Sequence, residues 1–316
     1  MRIVIITPAR SSSRSGNATT ALRWRRILRE LGHSVRVAGA YDGRPADLMV
    51  ALHAWRSADS IRRFRALYPD RPLIVALSGT DIYEYIASDP APVLHSLACA
   101  DRLVALQELV RTKVPARFRH KLRVVHQSAL PIRAGGKNVR SFEVAVIGHL
   151  RHVKDPMRAA LAVRRLPASS RVRIVHYGAA ETPRWAALAK AEMRRNPRYV
   201  WHGDRPRADV GRLLGRARVM VLSSRSEGGA NVISEAIAAN VPILASRIDG
   251  SEGLLGRDYP GYFPVGDTAA LARLLRRAET DPRYLSRLQR AIVRLAPLFN
   301  PAREKAKWKQ LIRELS

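Results

Sequence analysis

Two glutamates eight positions apart, Glu227 and Glu235, have the clearest chemical potential in this sequence. They lie in S-S-R-S-E-G-G-A-N-V-I-S-E-A (223–236), where an apolar run gives way to two glycines and a helix-forming stretch. Backbone N–H groups and the positive end of a helix attract an anion at such a turn. The second carboxylate can accept hydrogen bonds from the vicinal hydroxyls of a ribose, and the first can meet a second sugar. The spacing favours a nucleotide-sugar site over a turn with two solvated glutamates.

A basic group that can neutralise a diphosphate lies earlier, in V-I-G-H-L-R-H-V-K-D-P (146–156). Arg151 and Lys154 would lie over the end of a strand, where phosphates can be bound. His149 can donate a further hydrogen bond. The alternative is a charged loop in solvent, but the glutamate pair later in the sequence favours a diphosphate site.

Two further strand-like runs end in glycine, within H-Y-G-A-A (176–180) and W-H-G-D-R-P (201–206). We expect these loops beside the helix that carries the second glutamate, where they can accept a planar base. We expect Arg205, in the second of these loops, to be one of the donor-binding residues. Trp201 fits a core position better than a stacking platform.

The loop after the first strand, P-A-R-S-S-S-R-S-G-N-A-T-T-A (8–21), is a second candidate anion site. Its small polar residues allow a ligand to approach the backbone closely, and Gly16 and Asn17 just precede a predicted helix. Arg10 and Arg14 can supply charge, with ordinary surface positions as the alternative. The loop matches neither a Walker A pattern nor G-x-G-x-x-G, which argues against a nicotinamide dehydrogenase.

Two more candidates stand at the carboxyl ends of predicted strands in the first half. His53 ends L-M-V-A-L-H, and S-G-T-D (78–81) follows L-I-V-A-L. Asp81 can orient a substrate hydroxyl or act as a base, with capping of the next helix as the alternative. For His53 the alternative is a buried structural role.

These residues need strands to position them, and strand-like runs alternate with helical patterns throughout the sequence. Each run is short and rich in β-branched residues, and several are apolar on both faces, which is typical of buried parallel strands. The predicted strands are 2–7, 34–40, 48–53, 73–78, 102–107, 122–127, 143–148, 171–178, 199–203, 217–223 and 242–246. The predicted helices include 230–239, 268–279, 283–295 and an amphipathic segment at 301–316.

A linker is indicated at 131–141, where P-I-R-A-G-G-K-N-V-R-S interrupts the alternation. With a length of 316 residues, the pattern predicts two α/β domains, each a doubly wound sheet, at 1–135 and 142–298. Ligands bind beyond the carboxyl ends of the strands in such sheets. We therefore expect two Rossmann-like domains facing a central cleft.

Composition narrows the class of partner. The formal net charge is +30, but the basic residues are spread along the whole sequence and are mostly arginine. Without zinc-ligand spacing, an aromatic RNA-binding signature or a lysine-rich tail, this charge favours small anions, with nucleic-acid binding as the less favoured alternative. The single cysteine, Cys99, and the lack of a signal peptide or long apolar run predict a cytoplasmic protein without a transmembrane segment.

Three motifs, taken in order, resemble those of the GT-B glycosyltransferases of the family-4 type. They are G-H-L-R-H-V-K, E-G-G-A-N-V-I-S-E-A-I-A-A-N-V-P-I-L-A-S and G-Y-F-P-V-G-D. The resemblance implies that Glu227 contacts the transferred sugar, that Glu235 binds the nucleotide ribose and that Lys154 holds the diphosphate. The family's usual arginine after the glycine is His149 here, and Arg151 would replace it. The resemblance also implies that the helix at 301–316 completes the N-terminal, acceptor-side domain.

A closer resemblance extends along nearly the full length. The segments G-N-A-T-T-A-x-R-W, A-L-H-A-W-R-S-A, L-S-G-T-D-I-Y, V-I-G-H-L-R-H-V-K-D-P and S-S-R-x-E-G-G-A-N-V are similar to those of selenosugar synthases of selenoneine biosynthesis. Those enzymes transfer N-acetylglucosamine or glucose from a UDP-sugar to the selenium of selenophosphate. The resemblance implies the same donor and acceptor here, no tightly bound cofactor, and a product handed to the next enzyme of the pathway. A glycosyltransferase with a hydroxyl acceptor, lipid or glycan, is the alternative.

The expected site therefore has three parts. The expected catalytic residues are His53, Asp81, Lys154 and Glu227. The expected donor-binding residues are His149, Arg151, Lys154, Arg205, Glu227, Gly228, Gly229, Ala230, Asn231 and Glu235. The expected residues for an anionic acceptor are Arg10, Gly16, Asn17, Thr80 and Arg225. No acidic D-x-D triplet is present, so we expect no metal.

Overall fold

The protein forms two compact units. The computed structural model describes residues 1–8, 16–133, 135–136 and 138–315. The first unit comprises Met1–Ser128, Glu227–Asn231 and Asn300–Ser316, and the second comprises Ala129–Ser226 and Val232–Phe299. Among the described residues, no helix is both long and apolar enough to cross a membrane.

The first unit is built on a six-stranded parallel sheet with strand order β2-β1-β3-β4-β5-β6. Its strands are β1 (Arg2–Ile6), β2 (Ser34–Ala38), β3 (Leu48–Leu52), β4 (Leu73–Ala76), β5 (Arg102–Ala105) and β6 (Leu122–Val124). Its first helices are α1 (Gly16–Glu30), α2 (Ala58–Leu67), α3 (Ile86–Ser88) and α4 (Pro90–Cys99), with a π-helical turn at Asp81–Tyr85.

The second unit carries another six-stranded parallel sheet, with order β12-β11-β10-β7-β8-β9. Its strands are β7 (Phe142–Ile147), β8 (Val172–Tyr177), β9 (Tyr199–Trp201), β10 (Val219–Leu222), β11 (Ile243–Ser246) and β12 (Tyr262–Phe263). Its helices are α5 (Arg158–Val163), α6 (Pro183–Arg195), α7 (Arg207–Arg216), α8 (Asn231–Ala238), α9 (Asp249–Leu255), α10 (Thr268–Thr280) and α11 (Pro282–Leu295). The last helix, α12 (Pro301–Arg313), belongs to the first unit.

The strands form where the sequence is apolar on both faces. All five residues of β3, L-M-V-A-L, are buried, as expected for a strand covered by helices on both sides. On one face of the first sheet α1 and α12 pack together, and the rings of Trp24 and Trp308 meet edge to face at 4.8 Å. This contact closes the core on that face of the sheet.

The prediction of two doubly wound α/β domains is confirmed by both sheets. All eleven predicted strands are present, most of them one to three residues shorter than predicted. The strand β12 was not predicted, because two residues at the edge of a sheet are too few to show an alternation. In each sheet the strand order reverses beside the first strand, so a switch point lies between β1 and β3 and another between β7 and β10.

Candidate functional site

The loops on either side of the second switch point are joined by hydrogen bonds. The N–H of Arg225 donates to the carbonyl oxygen of Val153 at 2.8 Å. The hydroxyl of Ser223 donates to the carbonyl oxygen of Asp155 at 2.9 Å. The basic segment after β7 and the residues that follow β10 therefore meet where open α/β sheets bind ligands.

His149, just after β7, is a neutral hydrogen-bond donor. Its Nδ1 accepts a hydrogen bond from the N–H of Ala179 at 3.0 Å. Burial lowers the pKa of His149, and the charges of Arg151 and Lys154 lower it further. Because Nδ1 is an acceptor in the neutral ring, the proton resides on Nε2. No described residue accepts this second proton, so a ligand oxygen can do so.

The main chain beside this histidine is fixed by a buried chain of hydrogen bonds. His176 in β8 has Nε2 3.0 Å from the carbonyl oxygen of Gly148 and Nδ1 3.0 Å from the hydroxyl of Tyr199. Burial lowers the pKa of His176 to about 4, so the neutral ring donates to the carbonyl and accepts from the tyrosine. A β-carbon at Gly178 would lie 1.9 Å from the same carbonyl oxygen. The glycine in H-Y-G is therefore required by close packing, which the sequence alone did not distinguish from a ligand loop.

Two cationic side chains extend from the same segment. Arg151 buries its Nε without a hydrogen-bond partner among the described residues. Lys154 ends a short 3-10 turn, and its carbonyl oxygen lies 3.2 Å from the hydroxyl of Ser223. The carboxylate of the next residue, Asp155, pairs with Arg158 at 2.8 Å.

The second glutamate of the pair, Glu235, lies in α8 in the second unit. Its side chain is mostly buried, and its Oε1 lies 3.8 Å from an NH2 nitrogen of Arg207. Arg207 begins α7, two residues after Arg205, and was not predicted as a site residue. Trp201 donates from Nε1 to the carbonyl oxygen of Gly178 at 2.8 Å, which ties its ring to the end of the sheet.

At the first sheet, Asp81 is fully buried and organises two loops. Its Oδ1 accepts hydrogen bonds from the N–H groups of Gly79 and Ile82, and its Oδ2 accepts from those of Ala54 and Ser78. All four distances lie between 2.8 and 3.0 Å. A carboxylate engaged in this way holds the backbone of two loops. The helical turn itself has Thr80 as its N-cap and no side-chain cap, so the role of Asp81 as a base or a cap stays a prediction.

His53 is also buried, directly after β3. Its Nδ1 accepts from the N–H of Arg56 at 3.1 Å, and its Nε2 lies 2.9 Å from the hydroxyl of Thr80. Burial lowers the pKa of His53 although the charge of Asp81 raises it, so the neutral ring donates from Nε2 to the threonine. The backbone of His53 has a φ of 74°, which is strained for a non-glycine residue and typical of functional sites.

Residues 227–231, which we call the glycine turn, belong to the first unit and pack tightly there. A β-carbon on Gly228 would lie 2.5 Å from the nitrogen of Gly79, and one on Gly79 would lie 2.6 Å from the nitrogen of Gly228. A β-carbon on Gly229 would lie 2.4 Å from the Cβ of Leu106. Both glycines are therefore required by backbone packing, and ligand binding by the N–H groups of Gly228, Gly229, Ala230 and Asn231 stays a prediction.

The remaining predicted residues are more dispersed. Gly16 and Asn17 are the first two residues of α1. Thr80 is partly buried beside His53, and Arg225 is exposed. Arg10 and Arg14 lie outside the described residues. Within the described ranges, no group of three or more His, Cys, Asp or Glu side chains could hold a metal ion.

The fold is shared with known glycosyltransferases. The structure superposes on the HepE protein of Anabaena, solved in complex with UDP and glucose, with a TM-score of 0.79, 15% identity and 100% coverage of both chains. It superposes on the sucrose-phosphate synthase of Thermosynechococcus elongatus with a TM-score of 0.80, 16% identity and coverage of 99% and 98%. At this identity the likeness concerns the fold, which is that of GT-B glycosyltransferases.

Sequence comparison gives the family. A curated relative, glycosyltransferase 1 domain-containing protein 1 of Xenopus tropicalis, is 24% identical over 91% of this chain and 90% of its own length. The family model for glycosyl transferases group 1 matches residues 131–294. Because that match spans more than half of the sequence and includes both glutamates and the basic segment after β7, the chain belongs to the group 1 glycosyl transferases.

Proposed function

We propose that this glycosyltransferase uses a UDP-sugar as donor and the selenium atom of selenophosphate as acceptor. The observation that carries the donor half is the cluster of donors at the switch point of the second sheet. There His149 presents an N–H from Nε2, and Arg151 buries an Nε that no described residue accepts from. A buried donor without an acceptor, such as the Nε of Arg151, is costly unless a ligand compensates it, and the oxygens of a diphosphate can do so.

Each residue of this cluster has a distinct task in the proposed reaction. Lys154 and Arg151 neutralise the charge that develops on the leaving diphosphate, and His149 adds a neutral donor. Glu235 accepts the two ribose hydroxyls, held in orientation by Arg207. Glu227 contacts the transferred sugar.

Solved relatives of the same fold support the choice of donor. HepE of Anabaena has been solved with UDP-glucose bound, and the matching chains cover each other completely. We extend a UDP-sugar donor to this protein because its family, its fold and its glutamate pair all agree with one.

The acceptor is inferred from the motifs shared with selenosugar synthases and from the hydrogen bonds that the Asp81 carboxylate already accepts. Both oxygens of Asp81 accept backbone hydrogen bonds, so this side chain is poorly suited to take a proton from an alcohol. Selenophosphate needs no such base, since its selenium is a soft nucleophile that is already ionised. An anionic acceptor also suits a protein with a formal net charge of +30.

The proposed chemistry has two steps. The selenium lone pair attacks the anomeric carbon while the bond from that carbon to the diphosphate oxygen breaks, which releases UDP. The product is a sugar joined through selenium to a phosphoryl group. Water then cleaves the phosphorus–selenium bond, and inorganic phosphate leaves with a selenosugar.

The test is incubation with selenophosphate and a panel of UDP-sugars, including UDP-N-acetylglucosamine and UDP-glucose, followed by mass spectrometry. We expect a selenosugar, UDP and phosphate in equal amounts. Turnover with an alcohol acceptor and none with selenophosphate would contradict the acceptor and support the hydroxyl alternative. Binding to DNA that persists at physiological salt, without affinity for any UDP-sugar, would contradict the donor as well.

A further inference from the structure

We propose that Arg23 and Gln127 are positioning residues that hold the glycine turn, and through it Glu227, in the geometry needed for sugar transfer. The proposal rests on the proposed donor and concerns two residues to which the sequence assigned no role, although Arg23 lies in the shared segment G-N-A-T-T-A-x-R-W. Both side chains are buried in the first unit, which also contains the turn. Neither is a surface cation or amide whose contacts could vary freely.

Arg23 is anchored on one side by a buried carboxylate. Its Nε donates to Oε1 of Glu304 in α12 at 3.2 Å, and the indole N–H of Trp24 donates to the same oxygen at 2.8 Å. The other oxygen, Oε2, accepts from the N–H of Ser128 at 2.8 Å and from its hydroxyl at 2.5 Å. Four donors on one carboxylate leave the guanidinium little freedom to rotate.

The opposite side of the guanidinium faces the glycine turn. Its Nη1 donates to Oδ1 of Asn231 at 2.8 Å. Its Nη2 lies 2.9 Å from the side-chain amide of Gln127, which sets that amide with Oε1 toward the arginine. The Nε2 of that amide then donates to the carbonyl oxygen of Gly229 and to the oxygen of Asn231, both at 3.1 Å.

These contacts act on the main chain of the turn itself. Gln127 holds a carbonyl oxygen two residues after Glu227, and Arg23 holds the side chain four residues after it. The direct packing of Gly228 on Gly79 fixes the residue between Glu227 and Gly229. Loss of either polar contact leaves the turn packed but free to shift by the fraction of an ångström that matters for a reacting sugar.

The proposal predicts different effects on the two parts of the donor, the UDP part and the transferred sugar. The residues proposed to bind the ribose and diphosphate, Glu235 and Lys154, lie outside the glycine turn. A displaced turn should therefore lower the rate of sugar transfer while leaving the affinity for UDP unchanged. A purely structural role would instead lower the thermal stability and both functions together.

The test uses the full-length protein with Gln127→Met and Arg23→Lys. The first removes the amide at similar volume, and the second keeps a cation near Glu304 while losing the fork that reaches Asn231 and Gln127. Arg102→Lys is the matched control, because Arg102 donates to Glu314 near the other end of α12 at 3.1 Å. Titration calorimetry gives the affinity for UDP, and UDP release gives the rate of transfer or of UDP-sugar hydrolysis.

We expect both variants to bind UDP within about 2-fold of the wild type and to turn over the UDP-sugar at least ~10-fold more slowly. Arg102→Lys should match the wild type in both measurements. Equal rates in Gln127→Met and the wild type, or a loss of UDP affinity in proportion to the loss of rate, would overturn the proposal. A wild-type protein that binds no UDP-sugar would instead remove the proposed function, and this inference with it.

Discussion

The carboxyl ends of the two sheets use similar side chains in opposite ways. His53 in the first unit and His149 in the second both follow a strand at a switch point, and both accept a backbone N–H at Nδ1. His53 then donates from Nε2 to Thr80, whereas no described residue receives the equivalent proton of His149. Asp81 likewise has both oxygens engaged, whereas Arg151 buries a donor that no side chain or backbone group in the described ranges accepts from.

The two sets of loops therefore differ in whether their buried polar groups already have partners among the described residues. A buried polar group that is fully paired holds loops in place, and its loss costs stability. A buried donor without a partner costs free energy in the empty protein and regains it when a ligand binds. We call the loops at the carboxyl ends of the first and second sheets the first edge and the second edge. We expect substitutions at the first edge to lower mainly the free energy of unfolding, and substitutions at the second edge to lower mainly the affinity for the donor or its turnover.

The largest effect should come from Lys154→Met. If Lys154 binds the diphosphate as proposed, losing this cation leaves the developing charge of the leaving group unstabilised, so kcat/KM should fall by ~100- to 1,000-fold. Steady-state rates of UDP release measure it. Lys190→Met, at an exposed position of α6, is the control and should match the wild type. Turnover of the Lys154 variant within ~3-fold of wild type would contradict the proposed role of the second edge in binding the donor.

The corresponding change at the first edge is Asp81→Asn. In the wild type, four backbone N–H groups donate to the Asp81 carboxylate. In the variant, the amide NH2 group faces two of these donors, which are then buried without an acceptor. The free energy of unfolding in urea should fall by about 3 kcal/mol. UDP affinity of the folded protein should not change. Asp59→Asn, at an exposed residue of α2, controls for loss of one negative charge.

The parts of this comparison that the sequence could predict are local. The strands could be predicted from runs such as L-M-V-A-L, because a strand that is buried on both faces is apolar at every one of five consecutive residues. Lys154 and Glu235 could be chosen as candidate site residues because their types and their spacing around a strand and a helix are informative. Their surroundings could not be predicted, since the ion pair between Glu235 and Arg207 depends on the packing of two helices.

The polar contacts between distant segments could not be predicted. Arg23 and Glu304 are 281 positions apart, and although Arg23 lies in the shared segment G-N-A-T-T-A-x-R-W, nothing in either neighbourhood indicates that the two side chains pair. The glycine turn illustrates the same limit, because Gly228 and Gly229 fit a ligand-binding loop and a tightly packed backbone equally well. Only the approach of Gly79 and Leu106 shows that packing requires them.

A pH dependence should follow from His176, which supports the second edge. Its pKa is lowered from 6.5 to about 4, so the unfolded chain takes up a proton below pH 6.5 while the folded protein stays neutral. This contribution to stability is complete above the unfolded pKa and is lost as the pH falls toward 4. Between pH 7.5 and 5 it should account for about 2 kcal/mol of lost unfolding free energy. Urea titrations at pH 7.5 and pH 5 give the unfolding free energy at each pH, and its decrease should be larger by this amount in the wild type than in His176→Gln. Equal decreases would contradict the buried neutral ring.

A smaller effect is expected for His149→Asn. The asparagine oxygen can replace Nδ1 as acceptor for the N–H of Ala179, but the donor at Nε2 is lost. Affinity for UDP should fall by ~10-fold, the effect of one hydrogen bond to a charged group, with thermal stability unchanged. His149→Gln can place an N–H nearer to Nε2 and should recover part of the affinity. If both variants bind UDP as the wild type does, His149 has no role in binding the diphosphate.

The smallest effect, and the sharpest test of the contrast, is His53→Asn. Asparagine tolerates a positive φ better than most residues, and its oxygen can accept the N–H of Arg56 in place of Nδ1. Only the donation to Thr80 is lost, so the unfolding free energy should change by less than ~1 kcal/mol and UDP affinity should not change. His53→Ala keeps the strained φ, loses both hydrogen bonds and should be the less stable of the two. A His53→Asn protein that is folded and binds UDP, but turns over as slowly as Lys154→Met, would show that His53 acts in catalysis. In that case the paired hydrogen bonds of the first edge would position a catalytic group as well as the loops.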